Sequence, residues 1–178
     1  MSSLPGPPEI VSLDGAARDE LLPVLKEGFE GIYRWHAKRT LHRIELVRGA
    51  RIAGAWAGFS LLEMLVPEAG YVYYIAVGTR FRRQGLGGSL LDDALELFRA
   101  RGAEVVYAAA EEENVPSRSL FRSRGFRSVE RKETGFREGG LGAWGLRSRM
   151  MVVSGEVLLG IRLRPHPPGP PGADVSGP

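Results

Sequence analysis

Between Tyr71 and Phe98 a strand, a basic glycine-rich turn and an amphipathic helix follow one another, and this order limits the folds open to the chain. Tyr71–Val77 is aromatic and β-branched, which is typical of a strand. Further on, apolar residues recur at i, i+3, i+4 and i+7, as on one face of a helix: Leu91, Ala94, Leu95 and Phe98. The turn reads Arg-Arg-Gln-Gly-Leu-Gly-Gly over residues 82–88, named here the basic glycine loop. This unit predicts a sheet with helices packed on it.

Elements on both sides extend this unit into a mixed α/β pattern. A helix is predicted to begin near Asp19 or Glu20, and a hairpin to join Arg43–Arg48 to Arg51–Leu65 through Gly49 and Ala50. After the amphipathic helix we predict a strand, a short helix and two more strands, at Val105–Ala110, Pro116–Arg124, about Arg127–Thr134 and about Met150–Leu163. Residues 135–149 receive no assignment. The whole predicts a mixed sheet with helices on its faces.

Size and composition indicate one domain. The chain has 178 residues, of which 43% are hydrophobic, enough for one independent core. Residues 165–178 hold six of the twelve prolines and three glycines, so we predict a domain over residues 1–164 followed by a flexible tail. With a net charge of +3, nucleic acid is not the expected partner.

Cysteine is absent, which excludes disulfides, thiolate metal sites and a covalent thioester on the protein. Because no Cys/His/Asp/Glu group shows metal-ligand spacing, we expect no bound metal. The N-terminus resembles no signal peptide, and no stretch approaches the roughly 18 apolar residues of a membrane span. A cytoplasmic protein without membrane partners is therefore expected.

The basic glycine loop has the features of an anion site. The first turn of a helix leaves backbone N–H groups unpaired and carries partial positive charge. Gly85, Gly87 and Gly88 would allow close approach, and Arg82 and Arg83 add charge. A structural turn with solvated arginines is the alternative. Two other phosphate motifs do not fit, because Leu90 replaces the third glycine of a dinucleotide fingerprint and the P-loop lysine is missing.

Two motifs in order resemble those of the GCN5-related N-acetyltransferase (GNAT) family. Arg82-x-x-Gly85-x-Gly87 resembles its pyrophosphate-binding signature, and Ile75-Ala76-Val77 resembles its central strand. Downstream, Asn114-x-x-Ser117-x-x-Leu120-Phe121-x-x-x-Gly125-Phe126 is similar to its later motif. The likeness is specific from Tyr71 to Phe126 and architectural outside that range.

The resemblance implies a mixed, mostly antiparallel sheet flanked by helices, with acetyl-CoA in a cleft between the two central strands. It implies direct acetyl transfer from acetyl-CoA to a primary amine of a small molecule, peptide or protein. The implied cofactor-binding residues are Ile75, Ala76, Val77, Arg82, Arg83, Gln84, Gly85, Leu86, Gly87, Gly88, Asn114 and Phe121. Arginines around the second motif could meet the cofactor's 3′-phosphate: Arg118, Arg122, Arg124, Arg127 and Arg131.

The catalytic residues are less defined by the resemblance. Phe121 stands where many members have a tyrosine thought to protonate the leaving thiolate, and Ala109 where enzymes that acetylate ribosomal-protein N-termini have a glutamate. The candidates that remain are Tyr73, Glu63 and Glu111. By strand alternation, Tyr73 is predicted to share a face with Ile75 and Val77.

Each of these features also has an interpretation without a role in catalysis. Tyr73 could be a sheet-packing residue, and Glu111 could belong to a solvated acidic turn.

Two other classes of function also remain: a catalytically silent domain that binds acyl-CoA, and a protein-interaction module built on the basic helix and the Trp144 region. Acceptor specificity is expected from the helical segment near Tyr33 and Trp35 and from residues 135–149, and an exposed last strand would suit a homodimer.

Overall fold

One sheet organises the chain. The structure, a computed structural model, describes residues 6–129, 150 and 155–163. Within these residues the strand order is β1-β2-β3-β4-β5-β7-β6. The strands are β1 (Glu9–Ser12), β2 (Leu46–Ile52), β3 (Ala55–Val66), β4 (Ala69–Val77), β5 (Val105–Glu111), β6 (Arg127–Ser128) and β7 (Glu156–Arg162). The helices are α1 (Leu22–Gly28), α2 (Gly31–Arg43), α3 (Leu86–Ala100) and α4 (Val115–Ser123), with 3₁₀ segments at Gly15–Leu21 and Thr79–Phe81.

The strand pairing is antiparallel except at one place. Strands β1 to β4 form an antiparallel meander, and β7 pairs antiparallel with both β5 and β6. Strands β4 and β5 are parallel, because the chain crosses between them through α3. The predicted mixed, mostly antiparallel sheet with flanking helices is confirmed.

Helix α3 covers one face of the sheet, called here the α3 face. Its predicted apolar stripe is buried: Leu91, Ala94, Leu95 and Phe98 all lie in the core. Strand β4 makes room for the largest of these, since a Cβ on Gly70 would lie 2.5 Å from the Phe98 ring. Burying an aromatic side chain of this size stabilises the fold by about 1.5–3 kcal/mol, which explains why the sheet has a glycine beneath it.

Helices α1 and α2 cover the opposite face, called here the α1–α2 face. Val24, Leu25, Ala37 and Leu41 pack there against strand residues such as Phe59. Sequence reasoning placed a helix start near Asp19 or Glu20, and the structure has a 3₁₀ segment through these residues with α1 beginning at Leu22. Proline at the second position of α1 is tolerated because the first turn needs no backbone N–H donor.

Strand β1, with four residues, was missed from the sequence, and α2 was expected only as a helical segment near Tyr33 and Trp35, without bounds. Helix α2 buries only Ala37 and Leu41, too narrow an apolar stripe to reveal its full length. The predicted hairpin was displaced as well: its first strand does not begin at Arg43, which ends α2, and its turn is not at Gly49-Ala50. The turn lies at Ala53 and Gly54, whose φ values of 49° and 80° suit a two-residue hairpin turn.

Gly49 lies inside β2 for a packing reason. It pairs with Phe59, and a Cβ there would lie 2.5 Å from the Leu13 side chain and 2.6 Å from the Trp56 ring. Gly49, which was predicted as a turn residue, therefore makes room for the Leu13 and Trp56 side chains that cross β2.

Buried Arg18 ties the N-terminal segment to the end of α2. The residue is 9% exposed, and its guanidinium donates hydrogen bonds to main-chain carbonyls at 2.7–3.1 Å. The acceptors are Leu13, Leu41, Ile44 and Glu45. These bonds satisfy carbonyls that the end of a helix leaves unpaired.

Several predictions of the C-terminal part fall outside the described residues. Strands β6 and β7 lie within the predicted Arg127–Thr134 and Met150–Leu163, while residues 130–149, 151–154 and the predicted tail 165–178 are outside. The single-domain boundary therefore stays a prediction. Within the described ranges, no helix is long and apolar enough to cross a membrane.

Candidate functional site

The sheet opens between β4 and β5. These strands pair only from Ala69 with Val105 to Val72 with Ala108. Beyond that point, among the residues that the structure describes, β4 continues to Val77 paired with β3, and β5 continues to Glu111 paired with β7. Within these residues no strand pairs with the other edge of residues 74–77, and the main-chain groups along it can bind a ligand lying in the opening.

A β-bulge at Tyr73 marks the start of the opening. Leu62 pairs with Val72 and Leu61 with Tyr74, so Tyr73 is an extra residue in β4. The bulge resets the alternation of side chains and increases the local twist, which favours divergence from β5. Tyr73 and Tyr74 both pack on the α1–α2 face, whereas Ile75 and Val77 pack on the α3 face. The prediction that Tyr73 shares a face with Ile75 and Val77 was wrong for this reason.

The basic glycine loop lies directly beyond the end of β4. Arg83 and Gly85 adopt left-handed backbone conformations, with φ of 62° and 88°. The N–H of Ser89 bonds to the Gly85 carbonyl at 3.1 Å, so the N–H groups of Leu86, Gly87 and Gly88 precede the first helical bond. Left-handed residues in such a turn direct successive N–H groups into one concavity, which is suited to an anion.

The two arginines of the loop have different roles in the structure. Arg82 donates to the Val77 carbonyl at 3.0 Å and to the Glu27 carbonyl at 2.9 Å, which ties the end of β4 to α1. The Glu27 carboxylate in turn accepts from the Thr79 N–H at 2.7 Å. Arg83 is exposed, and its guanidinium has no hydrogen-bonded partner within the described residues. Arg83 is therefore the arginine whose charge is available to a phosphate.

The other predicted residues of the basic glycine loop also differ in their structural roles. Gln84 donates to the Arg80 carbonyl at 2.8 Å, which fixes the loop internally. A Cβ on Gly87 would meet Leu120 at 3.4 Å and Val77 at 3.8 Å, ordinary contact distances. A Cβ on Gly88 would collide with the Arg124 guanidinium, so this glycine makes room for Arg124.

Arg124 is held in place by Asp92 of α3. Its two hydrogen bonds to the carboxylate measure 3.0 and 2.9 Å, and they raise the pKa of the guanidinium. The charge of Arg124 is thus already paired with a carboxylate. Its expected role toward a cofactor 3′-phosphate stays a prediction.

The second motif builds and caps α4. The Asn114 side chain accepts from the Ser117 N–H at 3.1 Å, as an N-cap residue does. Phe121 is 4% exposed and packs edge-on against Phe126, with ring centroids 5.1 Å apart. Both residues thus have a structural role, and their roles toward a cofactor stay predictions.

Tyrosines and carboxylates gather on the α1–α2 face at the same opening. Glu111 at the end of β5 pairs in register with Glu156 of β7, so the two side chains share a face. The Tyr33 hydroxyl of α2 donates a hydrogen bond to Glu111, which raises the pKa of Tyr33 to about 12. Burial and then Glu156 raise the pKa of both Tyr71 and Tyr74. We call Tyr33, Tyr71, Tyr74, Glu111 and Glu156 the tyrosine–carboxylate cluster.

The predicted catalytic candidates lie on this face with differing proximity to the cluster. Tyr73 meets Tyr71 with ring centroids 4.7 Å apart, and Glu63 pairs in register with Tyr71. Glu111 is inside the cluster. Sequence reasoning missed Glu156 and the hydrogen bond from Tyr33, because both depend on which residues of β5, β7 and α2 meet in space.

Solved structures share this architecture. The ribosomal-protein-S18-alanine N-acetyltransferase of Escherichia coli aligns with a TM-score of 0.66 at 17% identity, over 93% of this chain and 99% of that one. A Bacillus subtilis acetyltransferase in complex with CoA aligns with a TM-score of 0.66 at 19% identity, over 89% and 100%. The fold is that of an acetyltransferase.

Sequence comparison then gives the family. The model of the acetyltransferase (GNAT) family matches residues 15–126. The chain belongs to the acetyltransferase (GNAT) family, as the two motifs indicated.

Curated relatives match over part of their length. A mycothiol acetyltransferase of Beutenbergia cavernae is 36% identical over 83 residues, which are 46% of this chain and 26% of the relative. The [ribosomal protein bS18]-alanine N-acetyltransferase of E. coli K12 is 30% identical over 73 residues, 41% and 49% of the two chains. The chain thus matches between a quarter and a half of these relatives' length.

Proposed function

We propose that this chain transfers an acetyl group from acetyl-CoA directly to a primary amine. The observation that supports it most is the opening between β4 and β5, which leads to a concavity of unpaired N–H groups in the basic glycine loop. A cofactor with a pyrophosphate at one end of an amide-containing arm matches this pair of features. Membership of the acetyltransferase (GNAT) family supports the same chemistry.

The cofactor would be held mostly by main-chain groups. The N–H groups from Arg83 to Gly88 would bind the pyrophosphate, with Arg83 adding charge. The free edge of Ile75, Ala76 and Val77 would pair with the pantetheine arm. Arg82 and Gln84 would act by fixing the shape of the loop, as their bonds to protein carbonyls suggest.

Transfer requires the amine to lose a proton before it attacks. Glu111 is the carboxylate that we propose as the base, taking this proton directly or through a water molecule, with Tyr33 fixing its position. The amine nitrogen attacks the thioester carbonyl, the C–S bond breaks, and CoA leaves as the thiolate. The nitrogen gives up its second proton to solvent as the amide forms. Phe121 has no proton to give, so solvent protonates the thiolate.

Glu63 and Tyr73 remain secondary candidates for these proton transfers. They lie on the same face: Glu63 pairs in register with Tyr71, and the Tyr73 ring contacts the Tyr71 ring. Both lie nearer than Glu111 to the paired part of β4 and β5, so Glu63→Gln and Tyr73→Phe are expected to lower turnover less than Glu111→Gln does. We also propose a cytoplasmic location, because acetyl-CoA is an intracellular cosubstrate.

The test is release of free CoA, measured with a thiol reagent, from acetyl-CoA and a panel of primary amines. We expect amine-dependent CoA release that is insensitive to a chelator and lost in Glu111→Gln. Tight acetyl-CoA binding without turnover on any amine would contradict the proposal. A gain of turnover in Phe121→Tyr alone would instead favour the silent acyl-CoA-binding domain.

A further inference from the structure

Helix α2 leaves two large apolar side chains in solvent. Ile32 and Trp35 are 64% and 55% exposed, and among the described residues only Val115, at the start of α4, matches them. Because Ile32 and Trp35 are three positions apart, they adjoin each other on one face of the helix. Single exposed apolar residues are ordinary, but adjoining ones favour a binding surface.

Basic residues continue this face toward the end of α2. Successive residues of a helix are about 100° apart, so Arg39 and Arg43 leave the helix on the same side as Ile32. The buried residues Ala37 and Leu41 lie roughly opposite. We call this face the α2 strip; its members are Ile32, Trp35, His36, Arg39 and Arg43.

Within the described residues, the cations of the α2 strip have no carboxylate partner. Neither Arg39 nor Arg43 takes part in an ion pair there, whereas Arg48 and Arg124 each bind an aspartate. The helix contains four Lys and Arg residues and no acid, which is more positive charge than the +3 of the whole chain. A positive surface beside apolar side chains is complementary to a partner that is acidic and partly apolar.

Trp35 has a fixed orientation although it is exposed. The His36 ring meets it edge-on with ring centroids 4.9 Å apart, and the Arg39 guanidinium lies 5.5 Å from the Trp35 ring centroid. Tryptophan and arginine are the residue types that often supply most of the binding energy of protein interfaces. Side chains that are already ordered lose less entropy on binding, so the α2 strip is preorganised for a partner.

The α2 strip begins beside the opening of the sheet. A Cβ on Gly28, at the end of α1, would lie 3.1 Å from the Ala76 side chain, and Phe29 meets Tyr74 edge-on with ring centroids 5.0 Å apart. The junction of α1 and α2 therefore lies over the unpaired part of β4. Tyr33, in the first turn of α2, hydrogen-bonds to the carboxylate at the end of β5. The strip leads from this junction away from the opening.

The spacing of the α2 strip suits an extended chain. At a rise of about 1.5 Å per residue, Arg39 and Arg43 lie about 10 and 16 Å along the helix from Ile32. An extended polypeptide covers these lengths in about three and five residues, at about 3.3 Å each. A small amine in the opening would not reach either arginine.

We propose that the acceptor is an acidic polypeptide, which carries its amine into the opening and extends along the α2 strip. An apolar side chain of the polypeptide lies on Ile32 and Trp35, and its carboxylates face Arg39 and Arg43. This inference rests on the proposed acetyl transfer and goes further by naming the acceptor class. Nucleic acid fits less well, because its phosphates would meet the carboxylate of Glu111 at the opening and the apolar end of the strip.

Three peptides of one length test the charge requirement. Each is an octapeptide amide with its only primary amine at the N-terminus, leucine at the second position, and glutamate, glutamine or arginine at the fifth and seventh. We expect kcat/KM for the glutamate peptide to exceed that for the glutamine peptide by about three- to tenfold, the effect of two exposed ion pairs, with the arginine peptide poorest. The difference should shrink as salt is added. N-acetylated peptides that begin with lysine repeat the comparison, so that the kind of amine does not decide the result.

The double variant Arg39→Gln with Arg43→Gln tests the assignment of the surface. Both side chains are exposed, so Tm should stay unchanged. KM for the glutamate peptide should rise about three- to tenfold with kcat unchanged, whereas both constants for the glutamine peptide should stay as they are. Lys38→Gln is the matched control, because it removes an exposed cation from another side of α2 and should alter neither peptide. A merely structural role would not separate the two peptides.

The variant Ile32→Ser tests the apolar end of the α2 strip. The complex would bury less apolar area, so KM for the glutamate peptide should rise about three- to tenfold. A glutamate peptide with serine in place of its leucine should not respond to this substitution. Val115→Ser is the matched control, since Val115 is equally exposed at 64% but lies on α4.

Three results would overturn the inference. One is equal kcat/KM for the glutamate and glutamine peptides in the unmodified protein; another is the double arginine variant slowing both peptides alike. The third is a short single-stranded DNA that binds more tightly than the glutamate peptide and loses its binding in that variant. If acetyl-CoA binds but no amine is acetylated, the proposed transfer fails separately. Calorimetric titration of the glutamate peptide into the CoA complex then decides: the inference requires binding that the double variant weakens, and absence of binding overturns it.

Discussion

Arg82 and Arg83 are neighbours in sequence with opposite expected effects on stability. Arg82→Ala removes two hydrogen bonds from a charged donor, at 3.0 and 2.9 Å. Both bonds are solvent-exposed, so we discount each to about 0.5–1 kcal/mol, which gives a loss of about 1–2 kcal/mol. For a chain of this length the expected fall in Tm is about 2–8 °C.

Arg83→Gly should leave the free energy of unfolding unchanged or raise it. The backbone of Arg83 has a φ of 62°, and a left-handed conformation costs a non-glycine residue about 1–2 kcal/mol. Glycine removes this cost but gives the unfolded chain more freedom, which offsets about 0.5–1 kcal/mol. The net change is therefore a stabilisation of about 0–1.5 kcal/mol.

Cofactor affinity should separate the two variants in a second way. Arg83→Gly removes the charge that we propose lies against the CoA phosphates, so Kd for CoA should rise about five- to tenfold at low salt and less at high salt. Arg82→Ala should weaken CoA through altered loop shape, by a factor that salt does not reduce. Thermal unfolding and calorimetric titration of both variants check this. A fall in Tm for Arg83→Gly equal to that of Arg82→Ala, or an unchanged Kd for Arg83→Gly, would refute the reasoning.

Three further expectations concern single residues elsewhere. Arg18→Met leaves buried carbonyls unpaired and should lower the free energy of unfolding by about 3–5 kcal/mol in denaturant titration, while exposed Arg39→Met should change it little. The pKa of Tyr33 rises from 10.0 to about 12 on folding, so its contribution to the free energy of unfolding is complete below pH 10 and is lost as pH rises through 12. Between pH 10 and pH 12 the free energy of unfolding of Tyr33→Phe should therefore fall less than that of the unmodified protein. Gly49→Val should overpack Leu13 and Trp56 and destabilise by about 1–3 kcal/mol, whereas unchanged stability would contradict the packing role of Gly49.

The central unit of the fold could be predicted because its features are local. The stripe from Leu91 to Phe98 repeats with the period of a helix, and the basic glycine loop precedes it directly. The left-handed residue at Gly85 and the unpaired N–H groups follow from that order. Family and fold class could be predicted for the same reason, since both motifs are short and contiguous.

The parts that could not be predicted depend on contacts between distant segments. Gly49 looked like a turn residue because the side chains of Leu13 and Trp56 that cross it are not adjacent in sequence. The bulge at Tyr73 depends on the register between β3 and β4, so strand alternation placed this side chain on the wrong face. The pairing of Glu111 with Glu156 depends in the same way on the register between β5 and β7.

Calorimetric titration with acetyl-CoA, on the unmodified protein and two variants of Gly87, tests the central claim most directly. A Cβ at this position would make contacts of 3.4 and 3.8 Å, so both Gly87→Ala and Gly87→Glu should fold with unchanged Tm. We expect the unmodified protein and Gly87→Ala to bind acetyl-CoA, and Gly87→Glu to lose more than about 100-fold in affinity because its carboxylate meets the pyrophosphate. Absence of binding in the unmodified protein, or equal affinity in Gly87→Glu, would contradict a cofactor site at the basic glycine loop.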